Sequence, residues 1–289
     1  MSGLKQLRNR VKSIKSTQKT TKAMQVVSAA KLNKLKDQAA RVNNFSHILA
    51  SLMNNITHGD GVLDLPSKDR HFFSKSLLEL PHLLIVMTSE RGLCGGFNSS
   101  VLKQVKTDLF QYRQKGKKIK LIIIGKKGYE ALRHDHADII EGYYNLSNDY
   151  ESVAAQVKQK VISLVEQQKI GGCFMYYNRF KNAMTQIVTT EQVLPAVDQQ
   201  KSEAEDRVNV DTEGENLVRS IIDLYIHGEV NYALLQSRAS EEGARMTAMD
   251  NSTKNASELV DKLTLKLNRS RQAMITTELT EIISGAEAV

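Results

Sequence analysis

Residues 215–284 read ENLVRSIIDLYIHGEVNYALLQSRASEEGARMTAMDNSTKNASELVDKLTLKLNRSRQAMITTELTEIIS. The stretch contains no proline, and its only glycines are Gly228 and Gly243. At ~1.5 Å of rise per residue, one uninterrupted helix of that length is about 100 Å long, several times the width of a small domain. The opening of the chain has the same character: residues 1–57 hold no proline and a single glycine, Gly3. Two such rods at opposite ends of one chain imply that they pair, antiparallel, with a compact body between them. The expected fold class is therefore α/β: a long antiparallel coiled coil of the N- and C-terminal helices plus a central Rossmann-like α/β domain.

The spacing of apolar residues supports the pairing. Leu4, Leu7, Val11 and Ile14 recur at alternating steps of three and four, and the pattern resumes at Leu32, Leu35, Ala39, Val42, Leu49, Leu52 and Ile56. A 3.5-residue repeat gives a left-handed coiled-coil seam. In the last rod Ala256, Val260, Leu263 and Leu267 form a second seam, expected to continue through Ile275, Leu279 and Ile282. Both seams have polar interruptions, at Ser16–Lys22 and at Arg245–Asn255. A two-helix core is expected to be weak there, so that either another surface contacts it or the function tolerates a weak core.

The middle alternates strands and helices. His82–Thr88 follows Pro81 as a continuous apolar run, the mark of a buried parallel strand. A glycine-rich turn, Arg91-Gly92-Leu93-Cys94-Gly95-Gly96-Phe97, leads to Asn98 as the expected N-cap of a helix to about Arg113. A strand at Lys120–Ile124, a helix at Lys126–Arg133, a short strand at Ala137–Ile140 and an amphipathic helix over 151–168 follow. Strands at Cys173–Asn178 and Gln186–Leu194 complete a Rossmann-like sheet. The expected division is 1–57 coiled-coil helix, 75–197 α/β domain, 198–214 exposed turn and 215–289 coiled-coil helix.

Charge and composition narrow the function. The 289-residue chain carries a formal net charge of +8. Residues 1–36 hold ten Lys or Arg and no acid, the first carboxylate being Asp37. That is also the composition of an organelle transit peptide, but eight of the ten are Lys and the helical pattern runs past residue 36, which reads as mature protein. No apolar run approaches the ~20 residues of a membrane span. Cys94 and Cys173 lie far apart and fit no metal or redox motif. The basic start invites a nucleic-acid reading, since counterion release favours any basic surface. A coiled-coil nucleic-acid binder is one alternative.

A phosphate-binding enzyme using the 91–97 turn is the other, because helix N-termini attract anions. Neither GxGxxG nor GxxxxGK[ST] occurs, so nucleotide binding is unsupported and Arg91, Gly92, Cys94, Gly95 and Gly96 read as a tight structural turn. His134 and His136 flank Asp135 without a third ligand, so no metal is expected. No general acid/base pair stands out, and no cofactor is implied.

Leu7–Lys31, containing Ser16-Thr-Gln-Lys-Thr-Thr-Lys-Ala-Met24, resembles the start of the gamma subunits of F-type ATP synthases, bacterial type. So do the turn Arg91–Asn98, the segment Ser240–Met249 and the ending Arg271–Gly285. The resemblance covers the whole chain. It implies a rotor shaft set inside a ring of three alpha and three beta subunits, its lower end on the membrane c-ring beside the epsilon subunit. Such a shaft couples proton flow to ATP synthesis at the beta sites without catalysing anything itself. It would sit on the cytoplasmic face of the inner membrane and bind no nucleic acid.

In that family Met24, Arg245, Gln272 and Thr276 match positions that contact or tune the catalytic ring. Gln272 and Thr276 lie one helical turn apart. From charge, Lys19 and Lys22 are expected to meet acidic loops on beta. A proton crossing ~100 mV releases ~2.3 kcal/mol, against roughly 0.2–1 kcal/mol for an exposed ion pair. Torque must therefore be spread over many contacts. The sequence departs from the family pattern at Glu90, where many relatives have aspartate, and at Arg207–Glu213, which lacks the usual Tyr-Glu-Pro at the foot.

Overall fold

The computed structural model describes residues 2–58, 67–146, 149–196 and 215–287. The expected exposed turn at 198–214 and the departing segment Arg207–Glu213 lie outside them. The first helix, α1, runs Ser2–His58 (57 residues). Between the rods come β1 (His82–Met87), α2 (Phe97–Gln114), β2 (Ile119–Ile124), α3 (Lys126–His136), β3 (Ile140–Tyr144), α4 (Tyr150–Glu166), β4 (Gly172–Phe180) and β5 (Gln186–Leu194). The last helix, α5, runs Glu215–Glu287 (73 residues).

The strands form one sheet in the order β3-β2-β1-β4-β5. β1 pairs parallel with both β2 and β4, β2 pairs parallel with β3, and β5 closes the edge antiparallel to β4. All six residues of β1 are buried, as a strand covered on both faces requires. One face packs Leu84, Val86, Leu121 and Ile123 against Val101, Val105 and Leu109 of α2 and Leu132 of α3. The other packs Leu83, Ile85, Met87 and Ile122 against Val153, Val157 and Val161 of α4 and Val218, Ile222, Ile226 and Val230 of α5. Met53 and Ile56 of α1 join this second core. The body is thus not merely tethered to a rod, since α5 is one of the helices that cover its sheet.

Two expectations are corrected. The segment Ala137–Ile139 is a 3-10 turn, and β3 begins only at Ile140. Asn98 does not cap α2: the N-cap is Gly96, without a side-chain bond. The Asn98 amide instead turns back to the end of β1, where its Oδ1 accepts from the Ser89 N–H at 2.9 Å and its Nδ2 donates to Ser89 Oγ at 2.7 Å. Buried Ser89 needed those partners more than an exposed helix end needed a cap.

By its contacts the chain divides into two compact units, residues 1–29 with 245–289 and residues 30–244. Each contains one stretch of α1 beside one stretch of α5.

Candidate functional site

In the first unit, Thr21 and Thr253 share a hydrogen bond of 2.7 Å between their hydroxyls, and Gln25 Nε2 donates to Asp250 Oδ1 at 2.9 Å. As numbers rise along α1 they fall along α5, which makes the pairing antiparallel. Along α1 the less exposed positions include Leu4, Leu7, Val11, Ile14, Gln18, Thr21, Gln25 and Ser28, an unbroken 3.5-residue repeat, with Met24 and Ala29 beside it. The repeat therefore does not lapse in the polar stretch; its occupants change from aliphatic to hydrogen-bonding. On α5 the matching row is Met249, Thr253, Ala256, Val260, Leu263, Leu267, Ser270 and Met274.

The expected continuation of that row through Ile275, Leu279 and Ile282 is not found. These side chains are 49%, 54% and 68% exposed. The cross-pairing at 21–253 and 25–250 sets Ser2 opposite about Gln272, so further along α5 no described residue of α1 stands opposite.

Of the residues singled out as coupling positions, Lys19, Lys22, Gln272 and Thr276 are exposed, Met24 is half-buried and Arg245 is buried. Lys22 Nζ donates to Gln25 Oε1 at 3.0 Å, one step from the Asp250 pairing. Thr276 Oγ1 donates to the Gln272 carbonyl at 3.0 Å, placing the two on one exposed face. Asp250 is held below the usual carboxylate range by its hydrogen bond from Lys254, with the charges of Lys254 and Lys22 adding to it.

In the second unit the 91–97 turn occupies the crevice between the C-terminal ends of β1 and β4, where the strand order reverses. In open α/β sheets that crevice is where ligands bind. Here it is filled from within. Cys94 and Phe97 are buried against Ala244 of α5. Asn178 at the end of β4 donates through Nδ2 to the Phe97 carbonyl at 2.9 Å, and Ser240 Oγ donates to the Asn178 carbonyl at 2.8 Å. Leu93 and Gly95 take positive φ (64° and 57°), while Arg91, Gly92 and Gly96 lie exposed at the rim. Next to this contact, a Cβ on Gly243 would stand 3.0 Å from the Phe180 ring and 3.3 Å from the Ala183 backbone. A side chain there would make the Phe180 ring or the Ala183 backbone give by a few tenths of an ångström.

Sequence reasoning noted Gly228 and Gly243 but gave them no role. It also passed over Glu229, which lies beside Gly228 and is buried. The Ser46 hydroxyl of α1 donates to Glu229 Oε1 at 2.5 Å. Burial is the main reason the Glu229 carboxyl is pushed up to about 7; the Ser46 hydrogen bond opposes it, and the charge of Glu191 adds to it. A carboxylate inside a heptad row, at a glycine crossing, was the signal available. Burial also pushes the Cys173 thiol up to about 12, far from a reactive thiolate. Among the described residues no group of three or more His, Cys, Asp or Glu is arranged to hold a metal ion. No described helix is long and apolar enough to cross a membrane.

The geometry defines a class: an α/β body whose ligand crevice is closed by its own chain, built onto paired antiparallel helices. A profile described as ATP synthase matches residues 3–289. The chain is 52% identical over 290 residues to the ATP synthase gamma chain of Rickettsia bellii, with all of both chains covered. A chain of the Euglena gracilis mitochondrial ATP synthase, from its OSCP/F1/c-ring structure in rotational state 3, superposes with a TM-score of 0.70 at 20% identity. That match covers 99% of this chain and 94% of the other. A chain of the rotor of the same enzyme gives a TM-score of 0.64 at 18% identity, over 95% of this chain and 99% of that one. The chain belongs to the ATP synthase gamma chain family.

Proposed function

We propose that this chain works as the central shaft of a proton-driven ATP synthase. It carries torque between a membrane c-ring and an alpha3beta3 ring whose beta subunits do the chemistry. The carrying observation is the helix pair of the first unit. Its seam is held by hydrogen bonds such as Thr21–Thr253 and Gln25–Asp250, and its outer surface sets Lys, Gln and Thr among exposed aliphatic side chains such as Val26, Leu265, Ile275 and Leu279. A rod that must turn inside a ring of other chains uses both: polar groups exchange partners at low cost, and the exposed aliphatic side chains are covered by the ring.

Within this reading Lys19, Lys22, Gln272 and Thr276 touch the ring, while half-buried Met24 and buried Arg245 act by setting the helix pair. The 91–97 turn fastens the body to α5. The complex is membrane-associated, and the shaft stands on the cytoplasmic face of the bacterial inner membrane, with epsilon and the c-ring at its foot.

The test is co-expression with alpha and beta subunits, followed by reconstitution with the membrane sector. The intact chain should enter a 3:3:1 complex with ATPase activity. Deleting residues 272–289 should leave the body folded while ATP-driven proton pumping falls. Normal pumping by the truncated complex at normal assembly levels would remove Gln272 and Thr276 from the coupling surface.

A further inference from the structure

The outer side of α2 carries a stripe that the shaft reading leaves unused. Lys103, Lys106, Phe110, Arg113 and Lys117 recur at steps of three and four, so they line one side of the helix and the turn after it. All five are exposed, Phe110 by 63%. With Lys115 and Lys118 the segment 103–118 presents six cations, and none of them forms an ion pair with a described residue. Several cations elsewhere on the body are matched, as Lys120 with Glu141 and Lys158 with Asp223. The only carboxylate on α2, Asp108, is already taken, accepting from Tyr176 OH at 2.9 Å and Gln104 Nε2 at 3.0 Å. Cations in a last helical turn complement the helix dipole. That accounts for Arg113 and its successors, but not for Lys103 and Lys106 or for the bare ring between them and Arg113.

Phe110 and Lys106 stand between two open hollows of about 770 Å³ and 640 Å³. The larger has an apolar floor that includes Leu109, Ile119 and Ile139, and its far wall carries Asp135, Asp138 and Glu141. That wall decides what fits. A uniformly anionic partner, whether a lipid headgroup plane or a nucleic-acid backbone, would be pressed against Asp135 and Asp138, the two carboxylates of that wall not already held by a lysine as Glu141 is by Lys120 and Lys160. A polypeptide can set its own carboxylates over the lysines and offer something else at the wall. Hollows on both sides of an exposed ring also suit protruding side chains better than a flat surface.

We infer that this stripe docks an acidic polypeptide segment of another protein, its carboxylates over Lys103, Lys106 and Lys117 and an apolar side chain against Phe110. The inference is independent of the shaft reading. It would survive if the chain failed to couple, and coupling would survive if it failed.

The test titrates the full chain with four probes: a random Glu/Tyr copolymer, poly-Glu, phosphatidylglycerol vesicles and duplex DNA. The copolymer should bind about tenfold more tightly than poly-Glu, because only it supplies an apolar anchor. Phe110→Ala, and separately Lys106→Glu with Lys117→Glu, should each weaken copolymer binding about tenfold with unchanged circular dichroism. Lys5→Glu with Lys12→Glu, on the basic start of α1, should change it less than about threefold. Copolymer binding that is indifferent to Phe110→Ala would overturn the inference. So would tighter binding of vesicles or DNA through the same residues.

Discussion

The same two helices run side by side in both units, on the same 3.5-residue repeat, yet with opposite chemistry. In residues 30–58 the row is Leu32, Leu35, Ala39, Leu49, Met53 and Ile56, each at most 7% exposed. In residues 2–29 its members are half-buried, apart from Ser28, and four in succession are polar. The difference lies in what covers the pair. In the second unit α5 is also a sheet-covering helix, so apolar side chains reach both α1 and the sheet. The first unit consists of the two helical segments alone. Two helices bury a narrow strip between them, and hydrogen bonds then hold the register at less cost than an aliphatic row left half in water. One stretch of helix pair is built to be a core, the other to be gripped from outside.

The comparison is broken most severely by emptying the covered side. Ile222 is fully buried in the core shared by sheet and helix. Ile222→Ala should lower the unfolding free energy of the body by about 2–5 kcal/mol in a denaturant titration. Next comes a carboxyl buried on the covered side. Glu229 has its carboxyl raised to about 7, chiefly by burial. A raised carboxyl binds its proton more tightly when folded, so its contribution is fully present below about pH 4.3. That contribution is lost as pH climbs through about 7 and is constant above. Glu229→Gln, which keeps an acceptor for Ser46, should stabilise the chain by about 1–3 kcal/mol at pH 8 and by almost nothing near pH 4.

The smallest effect belongs to the gripped side. Thr21→Ala should cost the isolated chain roughly 0.5–1.5 kcal/mol, read by hydrogen exchange around Thr253. Lys19→Ala should leave stability unchanged within about 0.5 kcal/mol. A cost from Thr21→Ala as large as that from Ile222→Ala would erase the distinction between the two stretches.

Much of this was legible in the residues. Strand β1 declared itself by five apolar residues in a row, Leu83–Met87, and α1 and α5 by the absence of breakers. The 91–97 turn reads as structural because its glycines fit no nucleotide fingerprint; behind it Cys94 and Phe97 pack against Ala244. Asn98 misled because an Asn ahead of a helix is ordinarily a cap, and nothing local reveals that buried Ser89 competes for it. Ile275, Leu279 and Ile282 misled because a repeat written in one helix does not say where its partner ends.

The sequence by itself determined the periodicities, and with them the element types, the antiparallel rods and the α/β order between them. Periodicity selects which face of a helix turns inward, a property of local spacing. Only the tertiary structure decided how deep each face lies, because burial depends on the layer that packs over it. The sheet's second layer is built from α4 and α5 together, and the fate of Glu229 and Gly243 follows from that packing, as the fate of Asn98 follows from the burial of Ser89.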